Sequence, residues 1–375
     1  MTLRPAGGFL LVALLLAGLP AAAGETIAIG ILAPDDAPAA AAIMGARLAI
    51  EDNNTTGRFT GHSFSLDEER LPAAADPAEA AARLAKRGSG MVVSLLDAGR
   101  LLKAAASGAI LFNAAADDES LRNQDCRANI LHVAADRAML ADAMAQYLVK
   151  KRWSKWLLTF GSTPGDGAFA EALRRAAKRF GARIVDERPW TFAADSKPEN
   201  EVAAFTQGVD YDVVVVADEA GAFGDLLSYR LWLPRPVAGT QGLVPKGWDA
   251  QAEDWGAVQL QNRFLKLAKR PMTATDYAAW LAVRAVGEAA GRAGKGDPAA
   301  LRAALLSPDF KLAGFKGRQL SFRDWDHQLR QPILLAAANG VIAAAPVEGF
   351  LHPTTDLDTL GTDSPETKCR MGGTK

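Results

Sequence analysis

The stretch Thr26-Ile27-Ala28-Ile29-Gly30-Ile31-Leu32, followed by the helix-spaced run Ala39–Asn53, decides how the chain is read. A short apolar run of this kind suits a buried strand, and the run after it returns apolar residues at intervals of three and four, the period of one helix face. The alternation continues outward. His62–Asp67 reads as a strand, and Asp76-Pro77 opens a helix through Arg87, with Asp at the cap and Pro just inside. Met91–Leu95 is again a strand, Arg100–Ser107 a helix and Ala109–Asn113 a strand. Strands separated by helices of this length imply right-handed βαβ units and a parallel sheet.

The pattern restarts in the second half. Arg137–Lys151 is a helix, Trp156–Phe160 a strand, Ala168–Phe180 a helix stopped by Gly181, and Ala182–Asp186 a strand. Val213–Ala217 is an apolar strand expected to be buried on both faces, Phe223–Tyr229 a helix and Pro236–Gly239 a strand. Two successive βα series predict an α/β protein of two similar lobes. Asp276–Arg292 and Pro298–Leu306 follow as helices, with short strands at Leu320–Phe322 and Gln331–Ala337, so the chain is expected to cross between lobes more than once. From Leu351 onward it is polar and without periodicity, and reads as an irregular tail.

Composition narrows the function classes. The 375 residues are 49% hydrophobic and 23% charged, which excludes a disordered chain. With 42 Lys+Arg against 43 Asp+Glu, no electrostatic footprint for nucleic acid exists. Arg4, the apolar run Phe9–Leu19 and Ala21-Ala22-Ala23 form a secretory signal, residues 1–23, cut after Ala23. The apolar run is too short for a membrane span, and no cysteine at the cut site would carry a lipid, so a soluble exported product is expected. In an oxidising compartment Cys126 and Cys369 are more often paired than free, with two unpaired thiols as the alternative.

The chain carries no recognisable catalytic constellation. His62, His132, His327 and His352 are scattered, and there is no H-E-x-x-H, G-x-S-x-G or S-x-x-K. Gly161–Gly167 is a Gly-rich turn without the Lys-Ser/Thr of a phosphate loop. Acids, however, gather where the strands end, the place ligands occupy in open parallel sheets. These are Asp35 and Asp36, Asp97, the run Asp117-Asp118-Glu119, Asp166, and Asp218-Glu219. One such Asp is ordinarily a helix cap. Five strand ends together point to a ligand that compensates like charges, with Asp97, Asp117, Asp118 and Asp218 as donors for a hard cation.

Several strings carry a likeness. The first strand, the helix ending Gly45-Ala46-Arg47-Leu48-Ala49-Ile50-Glu51-Asp52-Asn53 and the two-lobe rhythm resemble the branched-chain amino-acid-type periplasmic binding proteins of ABC importers. Tyr211–Glu219, Trp232–Gly242 and Gly349-Phe350-Leu351-His352 resemble a subgroup associated with PQQ-dependent alcohol dehydrogenase systems. The resemblance implies a type I periplasmic binding fold: two Rossmann-like lobes joined by a hinge crossed three times. Residues 24–135 with 271–330 would form lobe 1, residues 136–270 with 331–350 lobe 2, and residues 351–375 the tail. It further implies a monomer in the periplasm, not an enzyme, that hands its ligand to an inner-membrane ABC permease.

The departures from that family shape the expected ligand. The Ser-rich and Ser/Thr-bearing turns that hold the ligand carboxylate are replaced by Asp97-Ala98-Gly99-Arg100 and Asn113-Ala114-Ala115-Ala116-Asp117, and the acid that receives the ammonium is replaced by Gln241. Acids there would repel an α-carboxylate. The expectation is therefore a ligand other than a branched-chain amino acid, favouring a cation such as a lanthanide or calcium. The alternatives are PQQ, met by Arg100, Trp248 and Trp255, or an assembly factor for the quinoprotein. A receptor ectodomain is a further class, lacking its usual anchor here.

Overall fold

The computed structural model describes residues 25–192 and 201–371; the expected secretion signal at 1–23 lies outside them. The apolar opening stretch forms β1 (Glu25–Pro34), followed by α1 (Ala37–Thr60), β2 (His62–Leu71), α2 (Pro77–Lys86), β3 (Met91–Ser94), α3 (Ala98–Ala105), β4 (Ile110–Asn113) and β5 (Ile130–His132). The strands are parallel in the order β2-β1-β3-β4-β5, and every residue of β3 and β4 is buried. Helix α1 starts where Asp36 accepts the Ala39 N–H and stops at Gly61, whose φ of 75° is left-handed. It runs past the expected stop at Asn53-Asn54 because both amides have tertiary partners. Asn53 donates to the Val283 carbonyl, and Asn54 pairs with both backbone groups of Phe64.

The chain crosses at 133–136 into the second lobe: α4 (Arg137–Lys150), β6 (Lys155–Phe160), α5 (Pro164–Phe180), β7 (Arg183–Pro189), α6 (Val202–Phe205), β8 (Val213–Ala217), α7 (Gly224–Leu227), β9 (Val237–Gly239) and β10 (Val244–Lys246). Its main sheet is parallel in the order β7-β6-β8-β9, and all five residues of β8 are buried between two apolar clusters. Helix α5 opens with a reciprocal cap between Thr163 and Asp166 and closes at Gly181.

The remaining elements are α8 (Ala257–Ala268), α9 (Ala274–Ala293), α10 (Pro298–Leu305), β11 (Leu312–Ala313), β12 (Gln319–Phe322), β13 (Leu329–Arg330), β14 (Ile333–Ala337) and β15 (Gly340–Ala345). Trp248 and α8, through Leu260 and Phe264, lie in the apolar core of lobe 1. The second crossing therefore falls near Gly247, not after Arg270, and residues 248–270 belong with lobe 1. Strand β14 pairs antiparallel with β10 and β15 against α4, in lobe 2. Gln331-Pro332 is the third crossing.

The last segment is irregular but anchored. One 3-10 turn at Asp356–Thr359 is its only regular element among the described residues, yet Leu357 and Leu360 are buried. Asp358 accepts from both Arg323 and Arg330. Cys126 and Cys369 form a disulfide. No helix of the described residues is long and apolar enough to cross a membrane.

Candidate functional site

A cavity of about 220 Å³ lies between the lobes, where all three crossings meet. Its walls are the turn after β4 (Ala114, Ala115, Asp117), the first turn of α9 (Thr275, Tyr277, Ala278), Leu140 of α4, and the crossings at Val133–Ala135, Pro245–Gly247 and Gln331. On the lobe 1 side a shallower depression of about 520 Å³ continues past Thr275 to Pro34, Asp36, Leu95 and Arg270. Of the acids found at strand ends, Asp117 lines the cavity and Asp36 the depression. Most of them are already occupied.

Asp36 and Asp97 cap α1 and α3, accepting the N–H groups of Ala39 and Arg100 at 2.8 and 3.0 Å. Asp35 is exposed beside them. Asp166 is buried as the third residue of its helix cap and takes the Ala220 N–H as well. Asp218, almost wholly buried, accepts three backbone N–H groups, from Ala222, Phe223 and Gly224, at 2.7–2.8 Å. Gln241 reaches back to the Asp218 carbonyl. A carboxylate bonded in this way needs no cation. The expected tetrad Asp97, Asp117, Asp118 and Asp218 does not converge. Among the described residues no three His, Cys, Asp or Glu are placed to hold a metal ion.

The acids that do come together are Asp117, Asp118 and Glu219, and the group that gathers them is Arg137. Its guanidinium meets Asp117 Oδ1 at 2.9 Å from lobe 1 and grips Glu219 of lobe 2 through two hydrogen bonds of 2.7 Å, with Asp118 at 3.8 Å. Burial pushes the Asp117 carboxyl up to about 6 against the pull of Arg137. A second inter-lobe pair joins Arg175 to Glu119. Arg137 opens α4, where a cation opposes the helix dipole. That misplaced charge was the available signal that acids must surround it.

Two further buried groups frame the cavity. Tyr277 stacks on Trp248 with ring centroids 4.3 Å apart, and Lys316 Nζ lies 4.9 Å from the Tyr277 ring. Lys316 donates to the carbonyls of Gly247 and Pro332 and to Gln331 Oε1, each at 2.8 Å, while Gln331 donates to the Val133 carbonyl at 2.7 Å. This chain of bonds ties the three crossings together behind the cavity. Burial pushes the Lys316 ammonium well below its usual range. Neither residue stands out in sequence, because a lysine in a loop ordinarily faces water.

The residues expected to meet PQQ do not converge either. Arg100 is spent on the carbonyls of Leu71 and Pro72, Trp248 is sealed in the core, and Trp255 is exposed away from the cavity's walls. The turn after β4 is closed on itself: Asn113 Oδ1 accepts the N–H groups of Ala115 and Ala116, and its amide nitrogen reaches the Ala116 carbonyl and His132.

No curated protein matches the sequence. Solved structures do. A branched-chain amino acid ABC transporter periplasmic ligand-binding protein from Burkholderia xenovorans LB400 superposes with a TM-score of 0.71 at 16% identity, over 92% of this chain and 99% of that one. A branched-chain amino acid transporter substrate-binding protein from Streptococcus pneumoniae, in complex with isoleucine, gives 0.65 at 18% identity over 86% and 99%. A solute-binding protein of an ABC transporter from R. palustris, in complex with benzoate, gives 0.66 at 13% identity over 92% and 100%. At these identities the likeness establishes the two-lobed α/β architecture. The family model described as "Periplasmic binding protein" matches residues 26–228, more than half of the chain, and the protein belongs to that family of binding proteins, not to an enzyme family.

Proposed function

We propose that this protein captures a small organic molecule in the cavity between its lobes and presents the closed form to the permease of an ABC importer. The observation that supports this reading is the cavity itself. Residues from both lobes and from all three crossings wall it, so closure and occupancy are geometrically the same event. Its volume is about seven water molecules' share of liquid, below the range of drug-sized pockets. The walls are mostly apolar, with Asp117, Thr275, Lys246 and Gln331 as polar handles.

Ligand charge follows from the turn after β4. With the Ala115 and Ala116 N–H groups taken by Asn113 and the Asp117 carboxyl alongside, neither of those two N–H groups is open to a carboxylate. A neutral or cationic ligand fits better, consistent with the expectation of something other than a branched-chain amino acid. The three strings that resemble the PQQ-associated subgroup keep a role beside a quinoprotein dehydrogenase open to test, and with it PQQ and hard cations.

The test is a thermal-shift panel on chelator-stripped mature protein: small primary amines, amides and alcohols, with leucine, benzoate, calcium, a lanthanide and PQQ. A ligand at a hundred times its Kd adds about 2.7 kcal/mol, a shift of several degrees. The expected result is a shift with an amine, amide or alcohol that disappears in Ala278→Leu, a substitution that fills the cavity. A shift with leucine or benzoate overturns the reading of ligand charge, and any shift that survives Ala278→Leu overturns the cavity as the binding site; a metal-only shift would restore the cation reading.

A further inference from the structure

After β15 the chain leaves lobe 2 but stays bound to it. The Val347 N–H donates to Gln146 of α4, and Gln146 also donates to Thr359. Leu360 packs with Met139 and Ala143 of the same helix. Gly361 is held from both sides, its N–H donating to Asp142 Oδ2 at 2.8 Å and its carbonyl accepting from Arg179 of α5 at 2.8 Å. With φ at 80° and Met139 Cγ lying 2.8 Å from where a Cβ would stand, this position suits glycine alone.

The same stretch also meets lobe 1. Arg323, between β12 and β13 and buried, donates to Asp358 and to the carbonyls of Leu360 and Thr362, and the Trp325 indole also donates to Thr362. Thr367 then donates to the Arg122 carbonyl, the Lys368 N–H to Asn123, and Cys369 is bonded to Cys126, all in the β4–β5 connection of lobe 1. The chain therefore begins this segment fastened to lobe 2 and ends it covalently fastened to lobe 1.

We propose that residues 346–369 form a fourth connection between the lobes, a strap that limits how far the cleft opens. The three chain crossings act as a pivot, since Lys316 and Gln331 tie them side by side. A pivot alone leaves the opening angle free. The strap restricts it, because only seven residues lie between the Gly361 anchor and Cys369, and the span from one to the other, fully extended, reaches at most about 28 Å. Opening draws out this length and strips Asp358, Leu360 and Thr362 from Arg323 and Thr362 from Trp325. Lobe 1 and lobe 2 thus stay within reach of each other while the cleft is empty, and the Arg137 and Arg175 pairs reform without a wide search.

The test is small-angle X-ray scattering on ligand-free mature protein in three forms: the parent, Cys126→Ser/Cys369→Ser, and the parent with Gly-Ser-Gly-Ser inserted after the exposed Pro365. The insertion keeps the disulfide, both anchors and every side chain and adds only slack. Both altered forms are expected to show a larger radius of gyration and maximum dimension than the parent, with unchanged far-UV circular dichroism. If the cysteine variant fails to fold, the insertion carries the test alone. An insertion variant that scatters like the parent overturns the strap, whatever the cysteine variant does, because the disulfide would then act only within lobe 1.

Discussion

Gly45 offers a test of how lobe 1 is assembled. It lies in α1 where that helix meets the start of α9, and a Cβ there would stand 1.9 Å from the Asp276 carbonyl oxygen and 2.7 Å from its carbon. That is about 1.5 Å inside the 3.4 Å at which ordinary contact begins. Two effects oppose each other in Gly45→Ala. Alanine in a helix interior is favoured over glycine by about 0.5–1 kcal/mol. Against this, the obstacle is backbone, and it cannot swing away. Asp276 is pinned by the Thr273 N–H and hydroxyl and by two Arg270 bonds, so moving it disrupts the α9 cap. Overpacking of this kind costs about 1–3 kcal/mol, and with rigid partners on both sides the upper end applies, so the variant should lose about 2 kcal/mol net. Gly291, on the exposed face of α9 with nothing within 4 Å of its virtual Cβ, is the control, and Gly291→Ala should gain about 0.5–1 kcal/mol. Urea unfolding followed by fluorescence, with Trp248 and Trp280 in this core as reporters, compares the two. A Gly45→Ala protein as stable as Gly291→Ala would refute the close approach of the helices.

Acidity supplies a second prediction. Burial raises Asp142 to about 7, partly offset by Arg179 and the Gly361 N–H, and raises Asp326 and Asp117 to about 6. The folded protein thus holds protons that the unfolded chain has released, and stability falls as pH rises through 6–7. Buried His132 and His327 are pushed down, the latter to about 4, so they remove stability as pH falls below their ordinary value of 6.5. Stability should therefore increase by about 1 kcal/mol from pH 8 to 6.5, and Asp142→Asn should abolish most of the increase; urea midpoints at the two pH values would expose an unchanged slope. Finally, Lys316→Met keeps the bulk but leaves three buried acceptors at the crossings unpaired. It should cost about 2–4 kcal/mol in the same assay, and an unaltered midpoint would mean the ammonium does not hold the crossings.

Much of the architecture is written in local pattern. The apolar stretch at Thr26–Leu32, the Asp76-Pro77 start, the Gly181 stop and the run Val213–Ala217 each obey rules that act over a few residues, and each forms the element those rules predict. Helix α8 shows where such rules end. An amphipathic face can be read from spacing, but which lobe it covers depends on Leu260 and Phe264 meeting α1 far upstream. The tail fails for the same reason. Leu357 and Leu360 are too few to make a period, yet both are buried, Leu360 against α4, more than two hundred residues away in sequence. At the cleft, the acids were found where strands end, but not what they do. Asp97, Asp166 and Asp218 are acceptors for their own helices and loops, a role no different in sequence from that of a ligand. The organising residue, Arg137, is basic, so no pattern of oxygen donors along the sequence points to it.

The self-closed turn after β4 bears on what the empty protein ignores. Chloride, phosphate and sulfate surround any exported protein, and a turn with two idle backbone N–H groups would give them a seat. Here the Asn113 side chain already sits in it, so an arriving anion would have to evict an amide that loses four bonds in leaving. Background anions then find no seat in this turn, and its two N–H groups stay spoken for whether or not the cleft is filled.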